Sequence, residues 1–209
     1  MHTPAISGLY AITPATSDTS KLLADVLAAL QGGARLVQYR HKAALAALRE
    51  QQAALLLKLC RAWQVPLIIN DDIALCAKLG ADGVHLGATD ASLLEARRIL
   101  GAQAIIGASC YNHFQRAVQA QQQQASYVAF GACFASRTKP QAPTAPLELF
   151  SKTAQLGIPR VAIGGITLHN AEQVIVAGAD ALAVIEGLFG AADIRDCAVA
   201  WSQLFHRQH

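Results

Sequence analysis

The chain has 209 residues, 53% of them hydrophobic, with a net charge of +3 and a pI near 8.7. This composition argues against a disordered chain, and the length suffices for one sizeable core. No apolar run reaches about 18 residues, no basic start leads into an apolar stretch, and Lys and Arg form no block, so a membrane span, a secretory signal and a nucleic-acid surface are not indicated.

The first strand is predicted at 7–13, followed by a helix over Lys21 to Gln31 with Asp18 at its N-cap. A second strand at 34–40 leads to a helix over Ala43 to Trp63. Strands three to eight are predicted at 66–70, 82–86, 104–109, 126–131, 159–163 and 180–185, with Ala/Leu/Gln-rich helical stretches between them. Asp90 and Asn112 stand where N-caps would, and the run Gln119 to Gln124 is expected on an exposed helix face. The strand runs are short and lack polar alternation, as parallel strands covered on both faces do.

One phrase recurs: Gly33-Ala34-Arg35, Gly80-Ala81-Asp82 and Gly178-Ala179-Asp180. Each opens with a Gly that could end a helix and runs into a strand, which points to one repeated supersecondary unit. Eight strands alternating with eight helices predict an α/β fold, a (β/α)8 TIM barrel in one domain over residues 1–209, with a doubly wound open sheet as the runner-up. Five cysteines, Cys60, Cys76, Cys110, Cys133 and Cys197, include no Cys-x-x-Cys pair; they read as buried thiols in a reducing cytoplasm, without zinc or disulfides.

In a barrel, the strand C-termini carry the chemistry. Polar residues gather there: Gln38, Arg40 and Lys42 after strand two, Asn70-Asp71-Asp72 after strand three, His85 on strand four, Ser109 on strand five, Ser136-Arg137-Thr138-Lys139 after strand six and Gly164-Gly165 after strand seven. Period-two spacing puts Gln38, Arg40 and Lys42 on one side of an extended segment. Asp71 and Asp90 admit two readings, as oxygen ligands of a shared Mg²⁺ or as helix caps, whereas Asp72 reads as a cap. Gly164 and Gly165 would let backbone approach an anion closely. No Ser/His/Asp arrangement marks a nucleophile.

Six phrases in register resemble thiamine phosphate synthase: Val37-Gln38-Tyr39-Arg40-His41-Lys42, Ile69-Asn70-Asp71, Gly80 to Gly87, Ile106-Gly107-Ala108-Ser109, Ser136 to Lys139 and Ala162 to Thr167. The resemblance runs from about Leu9 to about Phe189. It implies an enzyme that joins hydroxymethylpyrimidine diphosphate to a thiazole phosphate and releases pyrophosphate, through a pyrimidine cation and with Mg²⁺. By that resemblance Gln38, Arg40, Asn70 and His85 line the pyrimidine and diphosphate pocket, and Asp71 and Asp90 hold the metal. Lys42, Ser109 and Lys139 hold the diphosphate and are the catalytic candidates; Ser136, Thr138 and Gly165 meet the thiazole phosphate. The implied partners are these small molecules, with neither nucleic acid nor membrane, and a homo-oligomer is left open. Glu186 departs from the family, where Ser is frequent, and is expected to point away from the phosphate. The alternatives are a thiazole tautomerase, which would place a His where Tyr111 stands, and a non-catalytic phosphate-ligand binder.

Overall fold

The computed structural model of the chain describes residues 6–87, 92–135 and 144–206. Eight strands form a closed, all-parallel barrel in sequence order: β1 (Gly8–Ile12), β2 (Leu36–Tyr39), β3 (Leu67–Asn70), β4 (Gly83–Leu86), β5 (Ile105–Tyr111), β6 (Tyr127–Phe130), β7 (Arg160–Ile163) and β8 (Ala181–Val184). Pairing of β1 with β8, Tyr10 opposite Ala183, closes the ring and excludes the open sheet.

The helices are α1 (Thr19–Gln31), α2 (Ala46–Ala62), α3 (Ile73–Leu79), α4 (Leu93–Leu100), α5 (Phe114–Gln122), α6 (Glu148–Lys152), α7 (Ala171–Val176), α8 (Glu186–Phe189) and α9 (Ile194–His206). Among the described residues this makes nine rather than the expected eight, because the segment after β8 is divided in two. A 3₁₀ turn, Ala154–Leu156, follows α6, and a short α8 precedes the docking helix α9. No helix among them is long and apolar enough to cross a membrane.

Alternation along each strand sorts the core into two shells. Tyr10, Ile12, Leu36, Ile68, Ile105, Tyr127, Ala129, Val161, Ala181 and Ala183 fill the barrel interior. Their neighbours Leu9, Val37, Leu67, Val84, Ile106, Val128 and Leu182 face outward into two clusters shared with the helices, including the buried Trp201 of α9. Both faces are therefore apolar, which is why the strand runs lack polar alternation.

The recurring phrase closes the barrel's N-terminal end. Gly33, Gly80 and Gly178 have φ of 97°, 62° and 108°, values that a side chain would strain, and they follow α1, α3 and α7. The aspartate two residues on then reaches back: Asp82 accepts the Leu67 N–H at 2.8 Å and Asp180 the Arg160 N–H at 2.7 Å. Each carboxylate thus satisfies the first donor of the preceding strand. Asp180 also accepts from the Arg160 guanidinium at 2.9 and 3.1 Å.

Three local expectations are corrected. β5 runs on to Tyr111, where φ turns to 55°, so His113 rather than Asn112 holds the N-cap position of α5. α2 starts at Ala46, not Ala43, because Lys42 and Ala43 turn at the rim and Leu45 is still extended. α5 ends at Gln122: Gln119, Gln121 and Gln122 are exposed on it, while Gln123 and Gln124 lie beyond it. Asp18 does cap α1, accepting the Lys21 N–H at 2.9 Å. Cys60, Cys76, Cys110 and Cys133 are buried thiols, and Cys197 is half-buried.

Candidate active site

The three polar residues that end β3 have separate tasks. Asp72 caps α3, accepting the Leu75 N–H at 2.9 Å, and pairs with Arg49 at 3.2 Å. Asp71 does not cap. Its backbone donates to the His85 carbonyl at 2.9 Å, extending the β3–β4 ladder, and its φ of 63° is left-handed. For a residue with a Cβ that conformation costs on the order of 1 kcal/mol, and such cost concentrates where a side chain must be aimed. Asp71 Oδ2 accepts from Asn70 Nδ2 at 2.6 Å and from Lys42 Nζ at 2.8 Å. A cleft of about 500 Å³ opens here, lined by His41, Lys42, Asn70 and Asp71 among others.

The three residues expected on one side of strand two descend in depth. Gln38 is buried inside the barrel, 2% exposed. Arg40 is half-buried at the mouth, its backbone N–H donating to Thr13 Oγ1 at 3.0 Å. Lys42 lies beyond the strand in the turn that delivers it to Asp71.

Below the mouth a chain of side-chain hydrogen bonds crosses the barrel. Gln38 Nε2 donates to the Tyr10 hydroxyl at 2.8 Å, and that hydroxyl lies 2.8 Å from the Tyr127 hydroxyl. The Tyr127 oxygen is 2.9 Å from His85 Nδ1, and His85 Nε2 is 2.8 Å from Ser109 Oγ. The His85 ring also stacks on Tyr127, with centroids 5.6 Å apart. Register explains the meeting, since His85 pairs with Gly107 and Gly107 with Tyr127, so the two rings face each other across a residue without a side chain. Burial pushes His85 down to about 4, against a weaker opposing pull from Asp71, so the ring is neutral at neutral pH. Burial likewise pushes both tyrosine hydroxyls well above their ordinary range. With both ring nitrogens committed inside the protein, His85 has none left for a ligand.

Tyr10 and Tyr127 are not singled out by the sequence reading. Each sits inside an apolar strand run, where tyrosine passes for core, and only the register reveals the partnership.

After β7, Gly165 has φ of 66°, and a Cβ there would lie 2.5 Å from the Phe134 carbonyl oxygen. The immediate need for glycine at this position is thus the segment following β6, which packs against it. Glu186 is exposed, and its carboxylate folds back along α8 to within 2.8 Å of where a Gly190 side chain would begin. Asp90, Ser136, Thr138 and Lys139 lie outside the described residues.

For a metal, the mouth offers hard oxygen donors. The Asp71 carboxylate already attracts one cationic group, and Mg²⁺ takes one or two carboxylates with water and phosphate completing its shell. Among the described residues no cluster of three or more His, Cys, Asp or Glu could hold an ion by itself. The donor set fits.

Residues 9–188 match a family model described as thiamine monophosphate synthase. Curated relatives called thiamine-phosphate synthase include one from Methylobacillus flagellatus, 56% identical over 97% of both chains. Another, from Chromobacterium violaceum, is 53% identical over 97% of this chain and 98% of its own. Among solved structures, a thiamine phosphate pyrophosphorylase from Pyrococcus furiosus superposes with a TM-score of 0.85 at 31% identity, covering 96% of each chain.

Proposed function

The chain belongs to the thiamine monophosphate synthase family, and from that premise we propose that it joins hydroxymethylpyrimidine diphosphate to a thiazole phosphate, giving thiamine phosphate and pyrophosphate. The observation that carries the reading is Asp71, held in a left-handed backbone at the mouth with Lys42 and Asn70 on one carboxylate oxygen.

In this reaction the pyrimidine C–O bond breaks with its electron pair leaving on the diphosphate, and the thiazole nitrogen closes the new C–N bond. No protein nucleophile is required. The residues' work is to neutralise charge on the leaving group and to hold both ring systems at the mouth. Lys42 is 59% exposed at the rim, where its ammonium can exchange Asp71 for a phosphate oxygen. Ser109, half-buried on β5, is assigned to the same anion by family resemblance. Gln38, Arg40 and Asn70 surround the pyrimidine side, while His85 acts through Ser109. When bound, Mg²⁺ supplies further positive charge to the departing diphosphate; Asp71, and by family resemblance Asp90, would hold it. Lys139 is assigned to the diphosphate, and Ser136, Thr138 and Gly165 to the thiazole phosphate, on the same resemblance. The buried thiols suit a reducing compartment, and we place the reaction in the cytoplasm.

The test is pyrophosphate release from both substrates with and without Mg²⁺, for wild type and Asp71→Ala. Loss of one charge-stabilising group lowers turnover by about 10²–10³. An Asp71→Ala chain that stays folded and fully active removes the assignment. Tautomerisation of the thiazole without pyrophosphate release would favour the isomerase instead.

A further inference from the structure

We propose that Gln38, Tyr10, Tyr127 and His85 form a one-way hydrogen-bond chain that holds the His85 proton on Nε2 and turns the Ser109 hydroxyl proton outward, as a donor to the anionic group of a substrate. The direction rests on the orientation of the Gln38 amide and on counting protons from it; only the nature of the group that Ser109 meets rests on the proposed transfer reaction.

The count starts at Gln38, whose amide nitrogen can only donate and does so to the Tyr10 oxygen at 2.8 Å. Tyr10 has one proton, and the acceptor beside it is the Tyr127 oxygen at 2.8 Å. Tyr127 also has one proton, and it goes to His85 Nδ1 at 2.9 Å, which must therefore carry a lone pair. A neutral imidazole then has its proton on Nε2, directed at Ser109 Oγ at 2.8 Å. Ser109 accepts that bond, so its own proton is released to point elsewhere. Turned toward a phosphate oxygen, it makes a charge-assisted bond stronger than a neutral one.

The order of the links is built into the strands. Gly107 separates His85 from Tyr127, and a Cβ there would lie 2.3 Å from the Tyr127 hydroxyl and 2.6 Å from His85 Nδ1. Only glycine leaves room for that link. The polarity of the whole chain is set at its far end by the amide of Gln38. Presenting the amide oxygen to Tyr10 instead would reverse every link and make Ser109 a donor to His85. Tyr10, Tyr127 and His85 are in this sense positioning residues.

The experiment uses the full chain labelled with ¹⁵N-histidine, free of substrate, with His85 assigned by its loss in His85→Gln. Long-range ¹H–¹⁵N spectra are expected to show the Nε2–H tautomer; an Nδ1–H tautomer overturns the proposal. In Tyr127→Phe the two tautomers are expected to mix. Loss of an orienting partner lowers kcat by about 10–100-fold, with a smaller change in KM for the pyrimidine diphosphate. The same substitution in a Ser109→Ala background is expected to cost less than about 3-fold, since coupled residues are non-additive. Full, additive losses in both backgrounds overturn the proposal. Should Tyr127→Phe not fold, the wild-type spectrum alone decides. Because the tautomer is read without substrate, failure of the chain is distinguishable from failure of the transfer reaction, which wild-type pyrophosphate release reports.

Discussion

Replacing Gly107 with alanine inserts one methyl group between two buried rings. The new Cβ would lie 2.1 Å from Tyr127 Cζ, 2.3 Å from its hydroxyl and 2.6 Å from His85 Nδ1. The backbone has little freedom to yield, since Gly107 is paired with His85 on one side and Tyr127 on the other. Tyr127 is fully buried and would have to retreat by roughly 1.5 Å to reach ordinary contact. Overpacking of this kind costs about 1–3 kcal/mol. Breaking the Tyr127–His85 bond leaves a buried group unpaired, for about 1–3 kcal/mol more. A chain of this size loses about 2–4 °C in Tm per kcal/mol, so a fall on the order of 10 °C is expected by calorimetry. Gly157→Ala is the control: its φ is 62°, but no atom lies within 4 Å of the new Cβ, so only the left-handed backbone penalty of about 1–2 kcal/mol applies. A Gly107→Ala chain that melts no lower than Gly157→Ala refutes the reasoning.

Asp72→Ala is expected to lose a helix cap, about 1 kcal/mol of stability, while keeping turnover within a few-fold, in contrast to Asp71→Ala; denaturation and activity measured side by side check this, and equal activity losses would contradict it. Burial lowers His85 from 6.5 to about 4, so between those values the unfolded chain binds a proton that the folded chain does not, and stability falls as pH drops from 6.5 toward 4. The full loss is on the order of 3 kcal/mol, reached below pH 4; denaturation across that range should show the slope in wild type and lose it in His85→Gln, and a His85 that titrates near 6.5 by NMR would show the ring to be solvated. Asp180→Asn weakens charge-assisted bonds to the Arg160 backbone and guanidinium and is expected to cost roughly 2 kcal/mol with kcat unchanged, read by urea denaturation.

Much of the fold is legible because it is local. Runs such as 67–69 and Ala181–Val184 are buried on both faces, and their unbroken apolar character signals a parallel sheet before any partner is known. Closure is harder to read, since it depends on β1 meeting β8 across the whole chain. The residues Gln38, Asn70, Asp71, His85 and Ser109 stand out because costly groups lie in or end apolar runs. Tyr10 and Tyr127 do not, because a phenol hides in an apolar run and its hydroxyl matters only through a register that links residues 117 positions apart. The same limit applies to His85. The sequence presents it as a group facing a ligand, whereas both of its nitrogens are turned to Tyr127 and Ser109. Tyr111 and Lys42 show the opposite error at element ends, where a left-handed residue or a turn at the mouth moves a helix start by one to three positions.

The aspartates at residues 82 and 180 fasten the floor of the barrel, whereas the strained Asp71 stands at its opening. Anchorage and chemistry are thus assigned to opposite ends of the same eight strands. Loops at the opening can be lengthened, exchanged or retuned toward other phosphorylated heterocycles while the floor stays fastened, which makes this scaffold a suitable host for grafted specificities.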